Sequence, residues 1–175
     1  MLCEIEGLIC PLGKDVSSGR VTRGASRGPS HERRMLRSRV ELTDTPAEKD
    51  VAALEAEIDG HNIAATARRD YRPLGVFERD QRSGQVLAGL YGFTWGDWLE
   101  IKLVWVRPDH RGRGLGRRLV EAAEAEARAR GCHNAWLDSY SFQAPGMYEK
   151  LGYRAFGRLQ NYPDAAERVF LTRSL

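Results

Sequence analysis

The chain has 175 residues, of which 42% are hydrophobic and 29% are charged, so it can bury one core of ordinary size. This composition excludes a collagen-like repeat, a coiled coil and a chain that is disordered throughout. The formal net charge of +3 is too small to indicate a nucleic-acid partner, and no apolar run reaches the ~20 residues of a membrane-spanning helix.

Residues 1–36 differ in composition from the rest of the chain. Between residues 16 and 34, Ser, Gly and Arg recur with few apolar residues and without a helix or strand period. Such a segment buries too little apolar surface to offset the entropy that ordering costs. We predict a disordered basic leader over 1–36 and a folded domain over 37–175. An arm that binds RNA or a membrane surface is the alternative interpretation of the leader.

The cysteines predict neither a disulfide framework nor a metal site. The chain has three of them, Cys3, Cys10 and Cys132, which is an odd number at irregular spacing. Cys3 and Cys10 lack the paired CxxC spacing of a zinc site, so we expect no metal. The N-terminus carries Glu4 and Glu6 where a signal peptide has an apolar stretch. We therefore expect a cytoplasmic protein.

The first half of the domain is predicted to contain a strand, two helices and a three-stranded meander. Polar and apolar residues alternate over 37–43, as in a half-buried strand. A helix over 46–59, with Pro46 at its first position, and a short helix over 63–67 follow. The meander strands are predicted at residues 74–80, 85–95 and 98–106, with glycine-containing turns between them.

The second half of the domain begins with a long helix over 115–130. Leu115 and Leu119 begin its apolar stripe, and Gly131 is placed to end it in a left-handed cap. The remaining elements are predicted at residues 134–139 (strand), 144–151 (helix), 152–159 (strand) and 167–173 (strand). The order β-α-α-β-β-β-α-β-α-β-β indicates an α/β (α+β) fold with a mixed sheet.

The junction between strand 98–106 and this helix carries the chemistry. Its sequence, VWVRPDHRGRGLGRR, brings Gly112, Gly114 and Gly116 to a helix start. Glycines let the backbone approach a ligand, and no side chain of the usual capping types is present to satisfy the exposed helix amides. Four arginines there oppose the helix dipole, at ~0.3–1 kcal/mol each, unless an anion binds. A phosphate or pyrophosphate ligand is therefore predicted, with a solvated arginine cluster as the alternative.

Two common phosphate loops do not fit this junction. The GxxxxGK[ST] pattern of P-loop NTPases is missing. The dinucleotide pattern GxGxxG fails because Arg117 or Leu119 stands where the third glycine belongs. These observations argue against an ATPase, a GTPase and a Rossmann dehydrogenase.

The remaining pattern, Arg111-x-x-Gly114-x-Gly116, resembles the pyrophosphate loop Gln/Arg-x-x-Gly-x-Gly/Ala of the GNAT superfamily of acyl-CoA-dependent N-acyltransferases. The stretch APGMYEKLGY over 144–153 resembles the C-terminal signature of the same family, and the order of elements also matches. The resemblance covers residues 37–175. It implies a mostly antiparallel central sheet flanked by helices, with acetyl-CoA as co-substrate and an amine as acceptor.

The resemblance also implies the residues that bind acetyl-CoA. Backbone amides of 111–116 would hold the pyrophosphate, and the strand end at 104–106 would pair with the pantetheine arm. Ser141 stands where the family often has an Asn that contacts this arm, and serine reaches less far. Arg117 or Arg118 would contact the adenosine 3′-phosphate, with a surface arginine as the alternative. The implied set is Val104, Trp105, Val106, Arg111, Gly112, Arg113, Gly114, Leu115, Gly116, Arg117 and Ser141.

Two residues are implied for catalysis. Tyr148 matches the family position whose phenol protonates the departing thiolate, and a helix tyrosine packed on the core is the alternative. Glu100 is the candidate base, because some members carry a glutamate at this spacing that acts through a water. Glu100, Lys102 and Val104 are predicted to share one strand face, so a simple ion pair with Lys102 is the alternative role for Glu100.

From the resemblance we predict an N-acetyltransferase in which a primary amine of a small molecule attacks acetyl-CoA directly. The alternatives are acetylation of a protein N-terminus or lysine, and a non-catalytic acyl-CoA-binding regulator, against which Tyr148 argues. No nucleic-acid or membrane partner is expected, and the resemblance suggests a homodimer. Asp97, Asp138 and Tyr140 lie near strand ends on the predicted acceptor side, as ligands for a cationic amine or as turn residues.

Overall fold

A computed structural model describes residues 39–175, so the predicted leader lies outside the described residues. The helices are α1 (Glu48–Thr66), α2 (Leu115–Ala129) and α3 (Pro145–Lys150). The strands are β1 (Arg72–Arg79), β2 (Val86–Trp95), β3 (Trp98–Val106), β4 (Asn134–Tyr140), β5 (Arg154–Leu159) and β6 (Arg168–Ser174). Within this part of the chain, no helix has both the length and the apolar character that crossing a bilayer requires.

The six strands of residues 39–175 form a mixed sheet in the order β1-β2-β3-β4-β6-β5. Every neighbouring pair is antiparallel except β3 and β4, which run parallel. A parallel pair needs a long crossover connection, and α2 supplies it between these two central strands. The predicted α/β class with a mostly antiparallel sheet is therefore confirmed.

The core lies between α2 and one face of the sheet. As predicted, Leu115 and Leu119 belong to the buried stripe of α2. On the sheet, the largest fully buried side chains are Leu90, Leu99, Leu137, Val169 and Leu171. Each buried leucine stabilises the fold by ~1.5–3 kcal/mol relative to an exposed one. This layer therefore fixes the central strands on which the candidate site is built.

The order of elements differs from the prediction at the N-terminal end. The described residues of the first predicted strand, 39–43, form no strand, and Val40 and Leu42 are almost fully exposed. Alternating polarity yields a strand only where a neighbouring strand supplies hydrogen-bond partners. The two predicted helices are one continuous helix, α1, which passes through Gly60 and has no buried residue. A glycine inside a helix costs only ~1 kcal/mol, which does not force a break.

Candidate functional site

The centre of the sheet opens where β3 and β4 stop pairing. Their parallel register ends at the pair Ile101–Leu137. At the same level a bulge interrupts the pairing of β3 with β2, and Lys102 is the extra residue. Bulges bend a strand and increase its twist. The C-terminal part of β3 therefore diverges from β4, and a cleft lies between the two strands.

The bulge also changes which side chains of β3 share a face. The prediction that Glu100, Lys102 and Val104 share one face is wrong for Val104, which lies opposite Leu90 of β2 and packs against the core. One extra residue shifts the alternation of a strand by one position. Leu103 therefore takes the predicted place of Val104 on the face that carries Glu100.

A cavity of about 100 Å³ occupies the cleft. It is lined by Ile101, Lys102, Leu103, Val104, Leu137, Asp138, Gln143 and Tyr148. Two residues of the predicted site, Val104 and Tyr148, thus meet at one cavity. Glu100 adjoins it through Lys102, whose ammonium nitrogen Nζ lies 2.6 Å from Glu100 Oε1.

Tyr148 is the predicted acid, and it lies on α3 with only 7% of its surface exposed. Its ring meets the ring of Tyr153 edge-on, with 6.0 Å between the ring centroids. Burial, and to a smaller extent the charge of Asp138, raises the pKa of Tyr148 to about 12. The phenol therefore keeps its proton at physiological pH and is suited to donate it.

Asp138 is a fixed carboxylate in the cavity wall. Arg168 of β6 holds it with two parallel hydrogen bonds, from Nε to Oδ2 at 2.7 Å and from Nη2 to Oδ1 at 2.8 Å. The same guanidinium lies 5.7 Å from the ring centroids of Tyr140 and Tyr162 and 5.6 Å from that of Phe170. The bond to Asp138 raises the pKa of Arg168, so the guanidinium stays charged.

Glu100 and Lys102 form a second ion pair at the mouth of the cleft. Besides its contact with Glu100, the Lys102 ammonium lies 5.6 Å from the ring centroid of Phe93, and Tyr71 packs against that ring at 4.8 Å between centroids. The predicted pairing of Glu100 with Lys102 is therefore confirmed. The acids of residues 39–175 do not cluster with other acids, His or Cys in any group of three that could hold a metal ion.

The start of α2 has the predicted form of an anion site. Gly114 precedes the helix at a φ of +76°, and no side chain caps the first amides. Gly112 also has a positive φ of +73°, and a Cβ built at either glycine would meet no atom within 4 Å. Free amides, open space and a helix dipole together suit a bound phosphate. The pyrophosphate of acetyl-CoA therefore fits the groups present here.

Three of the four arginines near this loop have partners within the chain. Arg111 donates from Nε to the main-chain oxygen of Val106 at 3.0 Å, which ties the loop back to the end of β3. Arg117 donates to Glu121 at 2.7 Å, and Arg118 lies 3.5 Å from Glu78. These contacts are exposed and weak, so a phosphate can compete for the guanidinium groups.

Two residues of the implied set face the protein interior. Leu115 is buried in the core, so only its main-chain amide is available to a ligand. A Cβ on Gly116 would lie 3.1 Å from the sulfur of Met147, which shows that this glycine permits close packing of α2 against α3. The sequence pattern alone did not separate this packing role from the open positions of Gly112 and Gly114.

Ser141, predicted to contact the pantetheine arm, bonds to the protein backbone, whereas Gln143 lines the cavity. The Ser141 hydroxyl accepts a hydrogen bond from the backbone N–H of Glu167 at 3.1 Å, which joins the end of β4 to the start of β6. Gln143 lines the cavity, and its Oε1 accepts a hydrogen bond from the Tyr140 amide at 3.1 Å. No sequence signal pointed to Gln143, because its position depends on how the loop after β4 turns back.

Comparison with known sequences agrees with this geometry. The model of the acetyltransferase (GNAT) family matches residues 35–153. A blasticidin-S acetyltransferase of Streptomyces morookaense is 37% identical over 116 residues, which are 65% of this chain and 85% of that protein. An acetyltransferase of Agrobacterium fabrum is 34% identical over 119 residues, which are 68% of this chain and 84% of that protein.

Comparison with solved structures gives the same fold. The crystal structure of a protein from Agrobacterium tumefaciens superposes with a TM-score of 0.75 at 28% sequence identity. The match covers 79% of this chain and 100% of the other. The fold is therefore shared with a known protein over the whole length of that protein.

Proposed function

Because the chain belongs to the GNAT acetyltransferase family, we propose that it transfers the acetyl group of acetyl-CoA to a primary amine of a small molecule. Family membership makes the chain an acyltransferase with acetyl-CoA as donor, and the small-molecule amine is the proposed part. The observation that carries the proposal is the cleft between β3 and β4, where a buried phenol and a carboxylate–ammonium pair meet. We propose residues 37–175 as the catalytic domain, since every residue of this cleft lies within them.

The donor would be held by main-chain groups on both sides of the loop. Bound acetyl-CoA supplies an activated acetyl thioester. Beyond Ile101 the edge of β3 no longer pairs with β4, and it offers backbone donors and acceptors to an extended ligand such as pantetheine. The amides at the start of α2 would hold the pyrophosphate. Since Arg111 already bonds to the Val106 carbonyl, Val104 is the better pairing position on this edge.

Two side chains would handle the protons of the reaction. An amine attacks only in its neutral form, and Glu100 is placed to accept the proton that the amine loses. Tyr148 would donate its proton to the departing CoA sulfur. Its pKa of about 12 keeps the donor form fully populated. Burial raises the pKa of a thiol as well, so the departing sulfur is a stronger proton acceptor inside the cleft than in water.

The groups around the cleft support a cationic acceptor. Glu100 carries a carboxylate at the cleft mouth, and its partner Lys102, which also contacts the Phe93 ring, is exposed enough for an incoming ammonium group to displace it. Carboxylates and aromatic faces both attract ammonium groups. The relative from Streptomyces morookaense is named for acetylation of blasticidin-S, which supports a small molecule as the acceptor class.

The test is release of the CoA thiol from acetyl-CoA in the presence of separate amine classes: nucleoside and aminoglycoside antibiotics, polyamines, amino acids, and peptides with a free N-terminus or lysine. We expect turnover with small-molecule amines that is lost in Tyr148→Phe. The control is Tyr153→Phe, which removes the hydroxyl from the other ring of the pair and should keep activity. Turnover with peptides alone would refute the small-molecule acceptor, and acetyl-CoA binding without any turnover would refute the enzymatic proposal.

A further inference from the structure

Lys102 occupies the place that the proposed function assigns to the acceptor amine. Its Nζ lies 2.6 Å from Glu100 Oε1, within hydrogen-bond distance of the group proposed as base. It also lies 5.6 Å from the centroid of the Phe93 ring, so a carboxylate and an aromatic face both contact it. This is the environment that an external ammonium group would require.

The same lysine also lines the cavity that holds the proposed acid. Lys102 and Tyr148 are both part of the wall between β3 and β4, together with Val104, where the donor is proposed to pair. The position of Lys102 results from the bulge, which adds this residue at the level where the two strands separate. An amine and an acid therefore line one cavity, and the proposed base contacts the amine, without any external substrate.

Within residues 39–175 the other lysines lack these neighbours. The sequence contains four, Lys14, Lys49, Lys102 and Lys150. Lys49 lies on α1 and Lys150 at the end of α3, and both are exposed to solvent and outside the cavity lining. Lys14 lies outside the described residues. Lys49 and Lys150 thus give the rate of uncatalysed chemical acetylation, with which the acetylation rate of Lys102 can be compared.

We propose that Lys102 is a modification site, which the chain acetylates with its own acetyl-CoA when no external amine is present. The inference rests on the proposed function of the same cleft. A bond forms between Lys102 Nζ and the acetyl carbon, and the carbon–sulfur bond of the thioester breaks. The Lys102 ammonium first loses one proton to Glu100, and the neutral amine then attacks the acetyl carbon. Tyr148 donates its proton to the CoA sulfur and regains one from the acetylated nitrogen, so the net proton released remains on Glu100. The products are acetyl-lysine and CoA thiol, so atoms and electrons balance.

Acetylation of Lys102 would change the site in which it occurs. The product is a neutral amide, so the ion pair with Glu100 is lost and the added group occupies part of a cavity of about 100 Å³. Turnover with an external amine should then fall as the modified fraction rises. An external amine that competes for Glu100 should slow the modification, because both need the same carboxylate.

The experiment is incubation of the full chain with acetyl-CoA, followed by peptide mass spectrometry of each lysine over time. We expect Lys102 to be acetylated at least tenfold faster than Lys49 and Lys150. The rate per molecule should not depend on protein concentration, because the reaction occurs within one chain. In Tyr148→Phe and in Glu100→Gln, labelling of Lys102 should fall at least tenfold while labelling of Lys49 and Lys150 stays the same.

Three results would overturn the inference: equal rates at all the lysines, a Lys102 rate that survives in both variants, or a rate that rises with protein concentration. Thiol release is measured in parallel with the panel of external amines. Turnover with an external amine but no label on Lys102 refutes the self-modification and leaves the proposed function intact. Absence of both, with acetyl-CoA bound, refutes the proposed function as well.

Discussion

Two carboxylate–cation pairs lie on opposite faces of the same sheet. On the core face, Glu124 of α2 is 2% exposed, and Arg173 of β6 donates to both of its oxygens at 3.0 Å. On the other face, Glu100 meets Lys102 at 2.6 Å, but 41% of the lysine side chain is exposed and the pair adjoins a cavity. Both pairs join a glutamate to a basic side chain, but one is buried and the other is partly exposed to solvent.

This difference shows that burial, and not residue type, decides what an ion pair can do. A buried carboxylate that loses its partner keeps an uncompensated charge in the interior. Separating Glu124 from Arg173 therefore costs much of the stability of the fold. Water and an incoming cation can replace Lys102 at Glu100, because the lysine side of that pair is open to solvent. The first pair therefore holds α2 to the sheet, and the second is available for chemistry.

The largest effect that separates the two faces is expected from Glu124→Ala. Arg173 would remain partly buried without its carboxylate, and we expect a loss of about 3–5 kcal/mol in the free energy of unfolding. Glu100→Ala should cost less than about 1 kcal/mol, because the remaining lysine is solvated. Denaturant unfolding of both variants measures this, and equal losses would contradict the comparison.

The second effect concerns the two tyrosines of α3 and the turn that follows it. Tyr148 faces the cavity, whereas burial and the charge of Glu124 raise the pKa of Tyr153 on the core side. Tyr148→Phe should lower kcat by ~10²–10³-fold with acetyl-CoA affinity nearly unchanged, because only the proton donor is removed. Steady-state kinetics and equilibrium binding give the two readouts. A similar loss of kcat in Tyr153→Phe would contradict the role of Tyr148 as proton donor, because removal of either hydroxyl would then disturb the site in the same way.

The third effect is a change in the pH profile with Glu100→Gln. A base works when deprotonated, so turnover of the unmodified protein should fall toward acid pH as Glu100 is protonated. The amide cannot titrate, so the variant should lose this acidic limb and be ~10²-fold slower near neutral pH. Rate measurements across the acid range test whether Glu100 is the base. An unchanged profile would show that Glu100 only forms its ion pair with Lys102.

A fourth, smaller effect follows from the pKa of Tyr148. Folding raises it from 10.0 to about 12, so the folded state binds this proton more tightly than the unfolded state does. The resulting stability is complete below pH 10 and is lost as pH rises from about 10 to 12. We expect the free energy of unfolding to fall by about 3 kcal/mol across this pH range, and Tyr148→Phe should lack this alkaline loss. Denaturant unfolding at neutral and alkaline pH compares the two proteins, and parallel losses would exclude Tyr148 as the source.

The smallest effect is expected at the start of α2. Gly114 has a φ of +76° with open space around it, so Gly114→Ala should cost ~1 kcal/mol from backbone strain alone. The distorted amides should raise the KM for acetyl-CoA severalfold and leave kcat nearly constant. Gly116→Ala, which would crowd Met147, serves as the control that acts on packing instead. A KM effect in Gly116→Ala alone would contradict the assignment of the loop.

Local patterns predicted most elements of the central domain. The third meander strand was predicted over 98–106 and observed over Trp98–Val106, and the long helix begins at Leu115 as predicted. Strong apolar runs bounded by glycines define such elements without help from the rest of the fold. The strand predicted over 37–43 lacked such a signal, because alternation in a short segment does not supply a partner strand.

The sequence by itself determined the family, the uncapped glycine-rich helix start that is proposed to bind an anion, and the two residues, Tyr148 and Glu100, on which the chemistry is proposed to depend. Each of those features lies within a short stretch of the sequence. The tertiary structure alone decided the bulge at Lys102, the turning of Val104 toward the core, and the meeting of Lys102, Asp138, Gln143 and Tyr148 at one cavity. These features depend on how the strands pair in the folded sheet. One extra residue in a strand shifts the register and reverses the side-chain faces beyond it. No local sequence pattern reveals where that extra residue lies.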